Sequence, residues 1–367
     1  MKKIFLFIAV ILSIDIKAQN DATAFDNLVS NDTSIMASLF SYPDTVYNSI
    51  LIASTHPKGF QTLSEIQKIS SDSFKKLIST YNRNTQKQLW EITRYPEIIS
   101  ILIENKDRSK KELEEKLQKY PAKIKSSAIY LGKNNYSTIV QIDQIHKDFE
   151  TKYKDLLKDF PNDVKAAYNS ILGNPELVTA LSENIKTTSV LGELYNRNPA
   201  LIKQKADSLN FEIAKAKGIE YENWKQGIQK DTVVQKELQD MSKKYSTDDS
   251  YDDDVYASSN EPREVNKVYE VAPYPYWAGY PYWYGTNYWY PYPWWFQMGF
   301  YWPLNGPIHF YGLPSYHFGW WYYNQPNRYY RRYPNATNYF YRHNQGRRNF
   351  NSDFNRSTQE FYRGRRK

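Results

Sequence analysis

The sequence PEIISILIEN at residues 96–105 recurs as PELVTALSEN at residues 175–184, and this repeat is the strongest indication of the fold. Around it, residues 74–105 align without gaps to residues 153–184, with eight identities and six conservative matches. Apolar residues in this region recur at steps of three or four, which is typical of amphipathic helices; the clearest row is Ile142, Ile145, Phe149, Tyr153, Leu156 and Phe160. We therefore expect a mainly α fold of repeated helical hairpins over residues 22–245, arranged as a short solenoid or a duplicated bundle.

Prolines mark the joints between these helices. Pro96 and Pro175 suit the first helical position, where the missing N–H would have no partner, and proline forces the preceding residue out of helical conformation. Asn174 and Asn198 precede prolines and are expected to act as N-caps. A third, partial copy of the repeat lies earlier, because residues 47–51 (YNSIL) are identical to residues 168–172.

The segment YPDTVYNSILIASTHP at residues 42–57 resembles the opening motif of an exported bacterial family, the domain of unknown function numbered 3300. RYPEIISIL (residues 94–102) and LGELYNRNPALIK (residues 191–203) resemble its later helix starts, so the resemblance covers about residues 38–210. That family is uncharacterised and has no assigned activity. The resemblance implies export and a Tyr/Pro-rich continuation, but it carries no functional residue to this chain.

The N-terminus has the pattern of a secretory signal peptide. Lys2 and Lys3 precede an apolar run from Ile4 to Ile14, and Ala18 provides a small residue for cleavage. The apolar run is shorter than the roughly 20 residues that span a bilayer. We expect residues 1–18 to be removed and the protein to be exported to the periplasm, the outer membrane or the cell exterior, with no transmembrane span in the mature chain.

The chain contains no cysteine, which excludes disulfides, cysteine-based metal sites and a thiol nucleophile. Residues 246–271 begin with an acidic, polar linker whose composition cannot bury a core, and residues 264–271 alternate as one short strand would. A calcium loop is the alternative for the aspartates of this linker, but the alternate spacing and central glycine of an EF-hand are missing.

Residues 272–323 form an irregular segment rich in aromatic residues and proline. Half of residues 274–323 are Tyr, Trp or Phe (25 of 50). Four tryptophans recur every six residues, a spacing that puts them on one face of an extended strand or a polyproline II helix. The candidate ligand-binding residues are these tryptophans and the tyrosines before the first three: Trp277, Trp283, Trp289, Trp295, Tyr276, Tyr282 and Tyr288.

Two interpretations of this row remain open. Flat rings on one face could stack on sugar rings, which makes a glycan-binding module with a tryptophan platform. Alternatively, the rings pack against one another and the helical region as a lid, because so many exposed aromatic residues would promote aggregation.

Residues 324–367 are expected to be a disordered, arginine-rich tail. They carry a net charge of +9, so the rest of the chain carries about −1 of the total of +8. Such a tail could bind an anionic surface or polymer, such as lipopolysaccharide or nucleic acid. The candidate anion-binding residues are Arg331, Arg332, Arg347, Arg348, Arg365 and Arg366.

Catalytic and metal-binding patterns are weak. His146 shares a helix face with Asp143 and Glu150, which could hold a metal, but a solvated row of ion pairs is the favoured interpretation. No nucleophile elbow, phosphate loop or zinc-protease pattern occurs. We therefore expect no enzymatic activity and no cofactor. The expected function is an exported cell-envelope scaffold or interaction protein whose partner is envelope polysaccharide or another envelope protein.

Overall fold

A computed structural model describes residues 19–106, 108–246, 275–279, 298–301, 309–312 and 331–345, and this part of the protein is mainly helical. The helices are α1 (19–31), α2 (Thr33–Leu39), α3 (Asp44–Ala53), α4 (Lys58–Ile78), α5 (Arg83–Ile92), α6 (Pro96–Glu104), α7 (Lys110–Lys116), α8 (Ala122–Asn134), α9 (Tyr136–Leu157), α10 (Asn162–Leu172), α11 (Pro175–Glu183), α12 (Ile185–Arg197), α13 (Pro199–Lys230), α14 (Thr232–Ser246) and α15 (Pro334–Gln345). None of the described helices is both long enough and apolar enough to cross a bilayer.

Two short strands lie within the segment that was expected to be irregular. β1 (Met298–Tyr301) pairs antiparallel with β2 (His309–Gly312), and Met298 lies opposite Gly312. α15 likewise lies within residues 324–367, for which disorder was expected. It forms because Tyr333 and its following residues have a helical surface to pack on, a tertiary effect that the polar composition does not reveal.

The sequence repeat corresponds to a repeat of helices. α5 and α10 begin 79 residues apart, α6 and α11 also begin 79 apart, and α4 and α9 end 79 apart. The mainly α prediction is therefore confirmed, and the repeated sequence marks repeated helix boundaries.

Both predicted helix-starting prolines are confirmed, whereas only one of the two predicted asparagine N-caps forms. Pro96 and Pro175 occupy the first position of α6 and α11. The Asn174 side chain does not cap α11; its Nδ2 instead donates to the Ser170 carbonyl oxygen at 3.3 Å. Asn198 does cap α13, because its Oδ1 accepts from a backbone N–H in the first turn at 3.3 Å.

The described residues fall into two compact units. The first unit comprises residues up to 65 together with 155–222, and the second comprises residues 66–154 together with the described residues after 222. One copy of the repeated pair belongs to each unit: α10 and α11 to the first, α5 and α6 to the second.

The core of the first unit is built around α3, which packs on α10 and α12. Ile50 and Tyr168 are fully buried there. Gly192 of α12 lies so close to the end of α3 that an added Cβ would be 1.9 Å from the Ser54 carbonyl oxygen. α13 is joined to α3 through Tyr47, whose hydroxyl donates to the Asp207 carboxylate at 2.5 Å.

In the second unit, α8 packs on α5, α6 and α7. Leu102 of α6 lies against Gly132 of α8, where an added Cβ would be 2.9 Å from a Leu102 methyl group. α7 begins with a capping box in which Ser109 and Glu112 bond reciprocally. α4, α5 and α9 of this unit contact the turn at residues 275–279.

Candidate functional site

The first described piece of the aromatic segment is a tight turn, Pro275–Gly279 (PYWAG). The Pro275 carbonyl oxygen accepts hydrogen bonds from the backbone N–H groups of Ala278 and Gly279, both at 2.9 Å. Gly279 has a φ of 64°, a left-handed conformation that glycine adopts without steric cost. The turn therefore depends on proline at its start and glycine at its end.

Trp277 is buried at the tip of this turn, with 1% of its surface exposed. Its ring meets Phe74 of α4 edge to face, with the ring centroids 6.0 Å apart, and lies 4.9 Å from the His146 ring of α9. Ala278 beside it is also fully buried. We call this site the Trp277 pocket; it is lined by Ser71 and Phe74 of α4, Trp90 of α5, and His146, Phe149 and Glu150 of α9.

Polar contacts fix the turn on both sides of Trp277. The Tyr276 hydroxyl donates to Glu150 Oε1 at 3.0 Å, and the Tyr276 ring lies 5.3 Å from Phe149. On the other side, Trp90 Nε1 donates to the Gly279 carbonyl oxygen at 2.8 Å. Three helices thus contact Tyr276, Trp277 and Gly279, which is the pattern of a specific docking site.

Gly279 fits the pocket only because it has no side chain. A Cβ added there would lie 2.5 Å from Ser71 Oγ, well inside contact distance. Together with the positive φ, this close approach makes glycine the required residue at the end of the turn.

His146 lies in the predicted row of i,i+4 ion pairs, but its ring is buried and not solvated, so that part of the interpretation is wrong. Trp277 covers its ring, and burial lowers its pKa below the ordinary value of 6.5, while the carboxylates of Glu150 and Asp143 act in the opposite direction. Its Nε2 lies 3.7 Å from Glu150 Oε1, and Asp143 pairs with Lys147 at 2.6 Å.

Among the described residues, no group of three or more His, Asp or Glu side chains could hold a metal ion. Burial and the Glu150 carboxylate raise the pKa of Tyr276, so its phenol stays protonated and acts as a hydrogen-bond donor. The groups of this site bind and orient a peptide turn.

A second docking point lies where α15 packs on α14. The Tyr333 hydroxyl donates to Asp240 Oδ2 at 2.8 Å. The Glu237 carboxylate accepts from Asn335 Nδ2 at 2.7 Å and from the Ala336 backbone N–H at 2.8 Å. Glu237 therefore caps the N-terminus of a helix that lies about a hundred residues further along the chain.

Further along α15, Tyr339 approaches the backbone of α13. A Cβ added to Gly227 would lie 2.5 Å from the Tyr339 hydroxyl oxygen. Burial, together with the charge of Asp231, raises the pKa of Tyr339 to about 12. Tyr333, Asn335, Ala336 and Tyr339 thus hold α15 against α13 and α14.

The structure brings together only two of the predicted ligand-binding residues, Tyr276 and Trp277. Trp277 cannot stack on a sugar while it occupies the pocket, so this ring is packed as the lid interpretation expects. Five of the predicted residues lie outside the described residues: Tyr282, Trp283, Tyr288, Trp289 and Trp295.

The predicted anion-binding residues divide in the same way. Arg331 and Arg332 are exposed just before α15, and the Arg332 guanidinium lies 5.9 Å from the centre of the Tyr333 ring. Four others lie outside the described residues: Arg347, Arg348, Arg365 and Arg366. Sequence reasoning missed the partners of both docking points, namely the acceptors Glu150, Glu237 and Asp240 and the donor Trp90.

The fold and the pocket define a helical-repeat protein that binds a turn of its own aromatic segment. Comparison with known proteins gave no match to a family model, to a curated protein or to a solved structure. The resemblance of residues 38–210 to the family numbered 3300 therefore stays a prediction.

Proposed function

We propose that this protein is an exported, non-enzymatic scaffold of the cell envelope, which presents its aromatic segment to an envelope polysaccharide or to another envelope protein. One observation supports the proposal most directly. Docked residues lie on both sides of most of the aromatic segment: Pro275–Gly279 near its start, and Tyr333 with α15 in the tail that follows it, both within the second unit.

The sequence between these docking points has the composition of a binding surface. Residues 280–330 contain 24 aromatic residues in 51 and a single formally charged residue, Arg328. Anchoring both ends reduces the conformational freedom that a binding segment loses on meeting its partner, and this lowers the entropic cost of association.

The proposal is tested by co-sedimentation with isolated cell envelopes. The full chain is compared with a variant in which a glycine/serine linker of equal length replaces residues 280–330 and both docking points are kept. We expect the full chain to sediment with envelopes and the variant to stay in solution, while both unfold at similar temperatures. Equal sedimentation of the two proteins would contradict a role for the aromatic segment.

Export is tested separately by cell fractionation and N-terminal sequencing. We expect the mature protein to begin near residue 19 and to leave the cytoplasm, because residues 1–18 have the signal-peptide pattern. Recovery of the intact N-terminus from the cytoplasm would contradict the envelope assignment.

A second candidate function, binding of an anionic polymer, is favoured by the exposed Arg331 and Arg332 beside the docked Tyr333. Lipopolysaccharide or nucleic acid bound in this way would be released by salt, because charge neutralisation frees counterions. Changing both arginines to glutamine should reduce the salt dependence of binding. An unchanged dependence would exclude these two residues as contacts.

A further inference from the structure

The pattern that occupies the Trp277 pocket occurs twice in the sequence. Residues 275–279 read PYWAG and residues 281–285 read PYWYG, so the two differ only at the fourth position. The copy held by α4, α5 and α9 is the first one.

The contacts explain why each position of the pattern matters. Proline supplies the carbonyl that closes the turn, tyrosine donates to Glu150, and tryptophan fills the space between Phe74 and His146. Glycine supplies the left-handed φ, the close approach to Ser71 and the carbonyl that Trp90 binds. Four of the five positions of the pattern therefore have a defined role in the turn or in its contacts with the pocket.

The fourth position sets the choice between the two copies. Ala278 is completely buried, with 0% of its surface exposed. A phenol ring at this position would have to enter an interior that solvent does not reach, and overpacking of that kind is destabilising. PYWAG fits the pocket, whereas PYWYG carries the residue that the pocket excludes.

We infer that the Trp277 pocket is a sequence-specific peptide-binding site, and that its partner in trans is the PYWAG turn of a second copy of this chain. This turn is the sequence known to fit the pocket. It is joined to α14 by the 28 residues 247–274, a length that reaches up to about 90 Å when extended. A turn on such a tether can reach the pocket of a neighbouring molecule.

The same tether sets when exchange occurs. Because the turn and the pocket belong to the same chain, docking within one molecule dominates in dilute solution. Exchange between copies becomes important at high local concentration. This inference concerns the helical unit alone and does not require an envelope ligand.

The first experiment measures peptide binding by fluorescence anisotropy. A labelled peptide of residues 273–280 is titrated with the full chain and with Trp277→Ala, whose own turn no longer fills the pocket. We expect Trp277→Ala to bind the peptide at least tenfold more tightly than the unaltered chain does. The same peptide with tyrosine at the fourth position should bind at least tenfold more weakly. Equal binding of the two peptides, or no binding by Trp277→Ala with an unchanged helical circular dichroism spectrum, would overturn the inference.

The second experiment does not depend on the folding of a pocket variant. Because the chain has no cysteine, Lys152→Cys on the exposed face of α9 gives a single site for a donor or an acceptor dye. Energy transfer in a mixture of the two labelled proteins should rise with concentration and fall on adding the residue 273–280 peptide. The tyrosine-substituted peptide should not compete. Absence of energy transfer at high concentration, or transfer that neither peptide reduces, would show that copies do not exchange this turn.

Discussion

Trp90 Nε1 donates a hydrogen bond of 2.8 Å to the carbonyl oxygen of Gly279, a residue 189 positions further along the chain. The bond is buried and joins α5 to the end of the docked turn. The Trp90 indole therefore does more than fill the core, because its N–H group recognises the docked turn.

Replacing Trp90 by phenylalanine should lower the free energy of unfolding. Most of the ring is kept, but the Gly279 carbonyl loses its donor in a buried environment, which costs about 1–3 kcal/mol. Urea denaturation measures the change, and the control is the same substitution in the Trp277→Ala background. The loss should shrink there because the turn is already released; an equal loss in both backgrounds would contradict a role in docking.

Replacing Trp277 by alanine should be more damaging, with an expected loss of about 3–5 kcal/mol, because a fully buried ring leaves a large cavity. Trp283→Ala is the matched control, since it removes tryptophan from the same pattern at its second occurrence. Calorimetry should show a large shift in Tm for the first variant and a small one for the second. Similar shifts would mean that the pocket does not distinguish the two copies.

Glycine substitutions should have opposite signs at two positions. Gly279→Ala forces a side chain into a positive φ and into contact with Ser71, so it should destabilise the protein by about 1–3 kcal/mol. Gly218→Ala meets nothing within 4 Å in α13 and should stabilise the protein by about 0.5–1 kcal/mol, because alanine favours helix. Chemical denaturation of both variants tests the pair, and a gain in stability for Gly279→Ala would refute the docked geometry.

Acidification should lower the free energy of unfolding through protonation of His146. Burial lowers the pKa of this histidine below 6.5, so below that pH the folded protein binds fewer protons than the unfolded chain. The free energy of unfolding should therefore fall as the pH decreases from about 6.5 towards the lowered pKa. Glu150 and Asp143 moderate this effect, and Lys147 adds to it.

His146→Phe keeps an aromatic ring against Trp277 but cannot take up a proton. Thermal unfolding between pH 7.5 and 5.5 should show a smaller loss of Tm for this variant than for the unaltered protein. Parallel curves would indicate that other groups determine the acid response.

The docking of α15 should depend on Glu237. Glu237→Gln removes the charged acceptor of two hydrogen bonds, one of them to the backbone N–H of Ala336. Trypsin should then cleave faster after Arg331, Arg332 and Arg342, because the first turn of α15 is released. Glu115→Gln, at an exposed position of α7, is the control and should leave the cleavage rate unchanged.

The local sequence predicts the helices better than it predicts their partners. Pro96 and Pro175 mark helix starts because proline acts through local sterics, which do not depend on tertiary structure. The identical YNSIL sequences of α3 and α10 show the limit of this reasoning. Tyr47 donates to Asp207 in α13, whereas Tyr168 donates at 2.7 Å to the carbonyl oxygen of His56.

The sequence predicts the candidate site only in part. The six-residue row singles out Trp277, but its burial depends on Phe74 and His146, which are distant in sequence. α15 could have been found, since Tyr333-Pro334 repeats the proline signal that marks α6 and α11. The polar composition of residues 324–367 predicts disorder. It does not reveal the carboxylates that stabilise α15, because Glu237 and Asp240 lie in α14.

The two docking points also determine how the protein responds to force. Docked residues lie on both sides of residues 280–330 in the sequence, so a force applied to this stretch would load α9 through Tyr276 and α14 through Glu237. Two attachments would share this force. One of them would have to break before the force acted on residues outside the two docking points. Resistance to such a force would depend on side-chain contacts at these two points, since the chain has no cysteine for a covalent crosslink.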